Sequence, residues 1–173
     1  MNLAHLTYEP LTDSVDKKLV FLHGLFGSKM NWRSIALNDH VLSLFNQIRK
    51  RREPILVDLR NHGESDHHSS MPYKEMAEDV VRLMDKLLIN KFTLLGHSMG
   101  GKTAMTLATL FPDRLDGLIV VDTAPNDNNL EEKLFTQTWS IIDKAHKYDI
   151  NNKTRNQALN DFNNMFVRRT LFV

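Results

Sequence analysis

Apolar residues along this chain fall into short uninterrupted runs separated by longer stretches of helical spacing. Near the N-terminus Ala4, Leu6 and Tyr8 alternate with His5, Thr7 and Glu9, the period of a half-buried strand. Four runs without alternation follow, Leu19–Leu22, Ile55–Val57, Phe92–Leu95 and Leu118–Val121. Each is bounded by Gly, Pro or charged residues, and apolar runs of strand length predict central strands covered on both faces. Helical patterning lies between them. It is clearest from Pro72 to Leu88, where Met76, Val80, Leu83, Met84, Leu87 and Leu88 share one stripe. Pro72 suits the first turn, where its missing N–H costs nothing. Strand and helix in alternation predict an α/β fold, a mostly parallel sheet with helices on both faces.

The pattern changes after Val121. Pro125-Asn126-Asp127-Asn128-Asn129 is turn chemistry, and Asp127 or Asn128 is suited to cap a helix burying Leu130, Leu134, Ile141, Ile142 and Ala145. A second amphipathic stretch places Leu159, Phe162 and Phe166 on one side, and the chain closes on the apolar Leu171-Phe172-Val173. The expected division is 1–125, the N-terminal part of a sheet domain, and 126–173, a helical cap segment. An apolar end without a helix cap or polar tail makes that segment look incomplete, the fold truncated after the start of the cap. No internal repeat or low-complexity linker interrupts the order.

Composition narrows the classes. At 173 residues, 42% hydrophobic and 25% charged, the chain has one domain's worth of core and an ordinary soluble balance. Its 22 Lys+Arg against 21 Asp+Glu leave a net charge of +1, without the basic field of a general nucleic-acid binder. The absence of cysteine removes disulfides, thiolate catalysis and Cys-based metal sites. No apolar run approaches the roughly 18–20 residues of a membrane span. Glu9, Asp13 and Asp16 stand where a signal core or an Arg-rich transit segment would be, so an intracellular, cytoplasmic protein is expected on that ground.

The strongest chemical signal is Gly96-His97-Ser98-Met99-Gly100, placed directly after the run Phe92–Leu95 and before the helical run Lys102–Phe111. A G-x-S-x-G between strand and helix is the arrangement of a nucleophile elbow. Ser98 is expected at the tip of a strained turn, with glycines on both sides because a side chain there would meet neighbouring backbone. The N–H of Met99, at the start of the following helix, is free to stabilise a developing oxyanion. His23-Gly24-Leu25-Phe26-Gly27 follows the run Leu19–Leu22, and in elbow enzymes the second oxyanion donor comes from this loop. Leu25 N–H is the candidate, with Phe26 as the alternative. His23 and His97 are expected to organise their loops by hydrogen bonding and not to act as bases.

At these motifs the sequence resembles the α/β-hydrolase superfamily of serine hydrolases. Asp58-Leu59-Arg60-Asn61-His62-Gly63-Glu64-Ser65, Gly100-Gly101-Lys102 and Val120-Val121-Asp122-Thr123-Ala124-Pro125 narrow the likeness to one subgroup. That subgroup contains α/β-hydrolase domain-containing protein 11 of animal mitochondria, the yeast ethanol acetyltransferase and small bacterial esterases. The resemblance implies a mitochondrial setting, against the cytoplasmic expectation from the N-terminus. It also implies Asp122 as the acid that orients the base, 24 residues beyond Ser98; the alternative is that Asp122 caps the next turn. Asp58 is read with Arg60 and Asn61 as loop scaffolding. The triad order on this fold is serine, acid, histidine. His146, the one histidine after Asp122, sits among Lys144, Lys147 and Asp149 on a helical pattern and makes a poor base.

Other features take plainer readings. Arg49-Lys50-Arg51-Arg52 reads as the solvated end of a helix near Val41–Ile48. His62, His67 and His68 match no zinc spacing, and no metal is expected. The methionines between 71 and 84 read as helix core. Trp139 and Phe162 either roof an acyl pocket or simply pack. The leading expectation is a serine hydrolase cleaving small-molecule carboxylic esters or thioesters through an acyl-enzyme, with transfer to alcohols as the same chemistry. It needs no cofactor. The second is a catalytically incomplete remnant that binds a ligand or partner.

Overall fold

A computed structural model describes residues 1–8, 17–37, 52–125, 143–144, 147–149 and 151–166. The chain divides into two compact units, Met1–Pro125 and Asn126–Val173.

The first unit is built on five strands, β1 (His5–Thr7), β2 (Lys18–Leu22), β3 (Glu53–Val57), β4 (Phe92–His97) and β5 (Leu115–Val121). Their spatial order is β1-β3-β2-β4-β5. β1 runs antiparallel to β3, and the other neighbours are parallel. The helices are α1 (Arg33–Leu37), entered through a 3-10 turn at Lys29–Trp32, then α2 (Tyr73–Lys86) and α3 (Met99–Leu110). This is the mostly parallel α/β sheet that the run pattern predicts.

The uninterrupted apolar runs have a direct cause. Successive residues of a strand point to opposite faces, and both faces of β2, β3 and β4 are covered. Val20, Leu22, Ile55, Val57 and Leu94 join Met76, Val80 and Met84 of α2 and Leu107 of α3 in one core. Leu19, Phe21, Leu56 and Leu95 join Trp32 and Ala36 in a second. Leu118–Val121 is not covered as the other three runs are; it is the exposed parallel edge expected where a hydrolase-like fold is cut short after its cap. β5 is the outermost strand of the described sheet, and Leu118, Ile119 and Val121 each keep more than a third of their surface exposed.

Two departures concern ends of helices. Leu88 does not extend the buried stripe of α2: it is 92% exposed, at φ +58°. Leu88 N–H donates to Asp85 O at 3.0 Å and Ile89 N–H to Met84 O at 2.9 Å, the paired bonds of a Schellman motif. Ile89, not Leu88, packs back on the core. Arg52 is likewise not part of a helix end. It lies immediately before β3, where its guanidinium donates to Thr93 Oγ1 at 2.6 Å; Arg49, Lys50 and Arg51 lie outside the described residues.

In the second unit, α4 (Arg155–Phe166) begins at a capping box. Thr154 N–H donates to Gln157 Oε1 at 2.8 Å, and Gln157 N–H donates back to Thr154 Oγ1 at 3.3 Å. The Asp161 carboxylate accepts from Tyr148 Oη at 2.5 Å and Lys153 Nζ at 2.7 Å. His146, Trp139 and the segment 130–142 lie outside the described residues, as do the side chains of Leu159, Phe162 and Phe166. No helix among the described residues is long and apolar enough to cross a membrane.

Candidate active site

β4 ends at His97 and α3 begins at Met99, so the whole reversal falls on Ser98, at φ 49° and ψ −115°. A non-glycine residue at positive φ is strained, and the strain is held from both sides. Ser98 N–H donates to Val121 O at 3.0 Å, and Ser98 O accepts from Lys102 N–H at 3.0 Å. The flanking glycines follow from sterics. A Cβ on Gly96 would fall on Gly100 O, and one on Gly100 would lie 2.6 Å from His23 O and 2.7 Å from Leu22 O. The first turn of α3 therefore seats directly on the end of β2.

The loop after β2 meets this turn at Gly24, where a Cβ would lie 3.0 Å from His97 Nδ1 and 3.4 Å from Ser98 Cβ. Its backbone is set by two bonds on one oxygen. Gly24 O accepts Gly27 N–H at 3.0 Å and the buried His23 ring at 2.7 Å. A trans peptide directs its N–H opposite to its C=O, so fixing Gly24 O also fixes Leu25 N–H. Phe26 N–H, the alternative donor, is already directed at His62 Nε2, 3.3 Å away, which leaves Leu25 as the better candidate. Met99, as the first residue of α3, has an N–H that no carbonyl one turn back within the helix serves. A hollow of about 250 Å³ lies against Gly24, Leu25, Gly27, Asn31, Trp32 and His97.

His23 organises the loop as expected. Nε2 accepts Leu59 N–H at 3.1 Å, so Nδ1 carries the proton given to Gly24 O. Burial lowers its pKa from the ordinary histidine value, and with both nitrogens engaged it is no base for Ser98. His97 behaves differently from the expectation of a loop anchor. Its Nε2 lies 3.7 Å from Asp122 Oδ2, longer than a hydrogen bond. Asp122 follows β5 at φ +53°, and its carboxylate is 87% exposed. Val121 pairs with His97 across β4 and β5, so the serine and the aspartate share the carboxyl end of adjacent parallel strands, where such sheets place their sites.

Asp58 belongs to the scaffold. Its carboxylate accepts Lys29 N–H at 2.6 Å, Lys29 Nζ at 2.6 Å and Glu64 N–H at 2.9 Å. Burial would raise its pKa, yet the donors at Glu64 and Lys29 hold it below the usual carboxylate range. The partner Lys29 is buried too. Its pKa is raised because Asp58 and Glu64 together outweigh the effect of burial. Gly63, at φ +55°, leaves the room that the Asp58 carboxylate occupies. Lys29 and Asp58 lie far apart in the chain, and no spacing rule joins them; the hydrophobic pattern around Lys29 carries no sign of burial. His62, considered only as a metal ligand from the sequence, holds Arg60 O through Nδ1 at 2.8 Å and Phe26 through Nε2.

A serine on a strained strand-to-helix turn, beside a glycine-rich loop at the carboxyl end of a mostly parallel sheet, is an arrangement that the alpha/beta hydrolase fold accommodates. The family model for the alpha/beta hydrolase fold matches residues 17–172, and the chain belongs to that family. It is 45% identical over 123 residues to the sn-1-specific diacylglycerol lipase ABHD11 of Danio rerio, covering 70% of this chain and 37% of that protein. It is 38% identical over 143 residues to esterase YbfF of Escherichia coli, covering 81% of this chain and 50% of that one. Among solved structures, a marine microorganism esterase superposes with a TM-score of 0.78 at 30% identity, covering 96% of this chain and 59% of the esterase. The chain thus spans between about a third and three fifths of the length of these relatives.

Proposed function

We propose that this chain carries the nucleophile, the orienting acid and the oxyanion donors of a serine hydrolase for carboxylic esters or thioesters. The observation that carries the reading is the conformation of Ser98, alone between β4 and α3 at positive φ and packed beside Gly24. Ser98 Oγ attacks the acyl carbon and gives its proton to a general base. The carbonyl oxygen becomes an oxyanion, received by Leu25 N–H and Met99 N–H, donors of the kind worth about 10²–10³ in rate each. The alcohol or thiol leaves with the proton, and the acyl group remains on Ser98. Water then repeats the sequence and frees the acid; an alcohol in place of water gives acyl transfer.

Asp122 fits the orienting carboxylate by its place at the end of β5. Neither His23, with both nitrogens engaged, nor His97, whose Nε2 lies 3.7 Å from Asp122 Oδ2, is assigned as the base. The relatives, a diacylglycerol lipase and an esterase, support diacylglycerols and other esters as the substrate class.

The test is labelling of the purified chain by a fluorophosphonate, with Ser98→Ala as control, read as intact mass together with turnover of a short-chain aryl ester. Labelling and turnover that vanish in Ser98→Ala support the reading. Labelling that persists there removes Ser98 as nucleophile. No labelling and no turnover in the parent chain favours the second reading, a hydrolase-fold module that binds its ligand without cleaving it.

A further inference from the structure

We infer that His62 is a positioning residue for the oxyanion loop, acting only in its neutral form. The inference starts from Phe26, which sits at φ +61°, a conformation that a side chain of its size rarely adopts. Its N–H donates to His62 Nε2 at 3.3 Å. The opposite ring nitrogen, Nδ1, lies 2.8 Å from Arg60 O. A carbonyl oxygen only accepts, so Nδ1 bears the proton and Nε2 presents its lone pair to Phe26.

His62 is itself held from behind. The buried Arg60 guanidinium donates to Asp79 Oδ2 at 2.6 Å and Ser70 O at 2.8 Å, and it also pairs with Glu75. A continuous set of contacts therefore runs from α2 through Arg60 and His62 to Phe26. The Leu25–Phe26 peptide is fixed by this set, as the preceding peptide is fixed by the two donors on Gly24 O. Together they leave the loop one arrangement for Leu25 N–H.

Protonation of His62 inverts the contact, since Nε2 then carries a hydrogen that faces the Phe26 N–H. The bond is lost and the strained Phe26 conformation loses its support. Asp66 and His68 lie on the same folded loop, their backbones bonded to Asn61. The His23 ring lies 5.0 Å away, centroid to centroid. The Lys29–Asp58 pair is already internally matched, and Glu64, two residues along the same loop, pairs with Lys29. The Arg60 guanidinium is turned toward Asp79 and Glu75.

The loop contact is testable without catalysis; its catalytic consequence rests on the serine hydrolase reading. In a two-dimensional NMR pH titration of the full chain, the Phe26 amide is expected to move with the same midpoint as the His62 ring protons. In His62→Gln, whose amide oxygen accepts without titrating, that movement is expected to disappear. A Phe26 amide that does not respond, or that titrates equally in His62→Gln, overturns the inference; if the variant does not fold, unequal midpoints in the parent chain do so alone. Fluorophosphonate labelling is the second arm. Below the His62 midpoint the parent is expected to label about fivefold more slowly than His62→Gln, the loss of one hydrogen bond, and the two converge above it. Identical labelling profiles overturn the catalytic consequence, whereas no labelling at any pH in either chain counts against the hydrolase reading and leaves the NMR result standing.

Discussion

Ser98 donates its backbone N–H to the carbonyl oxygen of Val121 at 3.0 Å, so the turn that carries the candidate nucleophile is tied to the residue preceding the candidate acid. The sheet thus determines the relation between the two candidate positions before any side chain contact is made. Asp122→Asn tests the chemical half of that relation. Because the carboxylate is exposed and, among the described residues, reaches only His97 at 3.7 Å, the melting temperature is expected to stay within about 2 °C of the parent, a surface-type change. Ester turnover in any form that shows it is expected to fall by roughly 10³–10⁴. A loss under about threefold places the acid elsewhere.

The steric half is tested at glycine. Gly100→Ala pushes a carbon against two carbonyl oxygens of the chain around the end of β2, which is backbone and does not rotate aside. Denaturant melts are expected to show a loss of at least about 2 kcal/mol. Gly117→Ala on β5 is the contrast, since its added carbon meets only the Thr93 side chain at 3.5 Å. It is expected to be neutral or stabilising by up to about 1 kcal/mol.

Asp58→Asn addresses the scaffold behind the loop. The lowered pKa of Asp58 means that its contribution to stability is present above the ordinary carboxylate value of about 4 and is lost as pH falls through the still lower folded value. Lys29, raised, keeps its contribution until the pH rises through a value above about 10.4. At neutral pH the variant strands a buried ammonium with only Glu64 as partner, and a loss of about 3 kcal/mol is expected. Stability curves against pH are expected to show an acid limb below about pH 4 in the parent that is shallower in the variant.

Leu88→Gly carries an expectation of the opposite sign. Leu88 is solvated and left-handed at the end of α2, where glycine is the usual residue. Removing the side chain relieves about 1 kcal/mol of backbone strain, for a rise of about 4 °C in melting temperature. A fall would show that the exposed side chain contributes contacts which its exposure does not suggest.

Parts of this molecule are legible in the sequence because their cause is local. The runs Leu19–Leu22 and Phe92–Leu95 announce covered strands, and Gly96 announces a turn whose crowding against Gly100 is internal to five residues. β5 is legible as an edge only through the strand order that the family resemblance implies, because an apolar run carries no information about a strand's place in the sheet. Leu88 continues a helical stripe in spacing, yet the helix is stopped by bonds that a stripe does not encode. Lys29 with Asp58, and His62 with Phe26, are pairings across loops. Their partners are chosen by how β2 and β3 lie side by side, and neither residue type nor interval marks them.

The exposure of Asp122 bears on the strength of the chemistry and not only on its location. A carboxylate and an imidazolium about 4 Å apart attract by about 1 kcal/mol in bulk water and about 4 kcal/mol where water is partly excluded. The difference, about 3 kcal/mol, is more than a hundredfold in the population of a charged pair. With 87% of its side chain open to solvent, Asp122 stands at the weak end of that range. If Asp122 is the orienting acid, its hold on a histidine would follow the hydration at the rim of the sheet, and drying that rim would strengthen the pair by that difference.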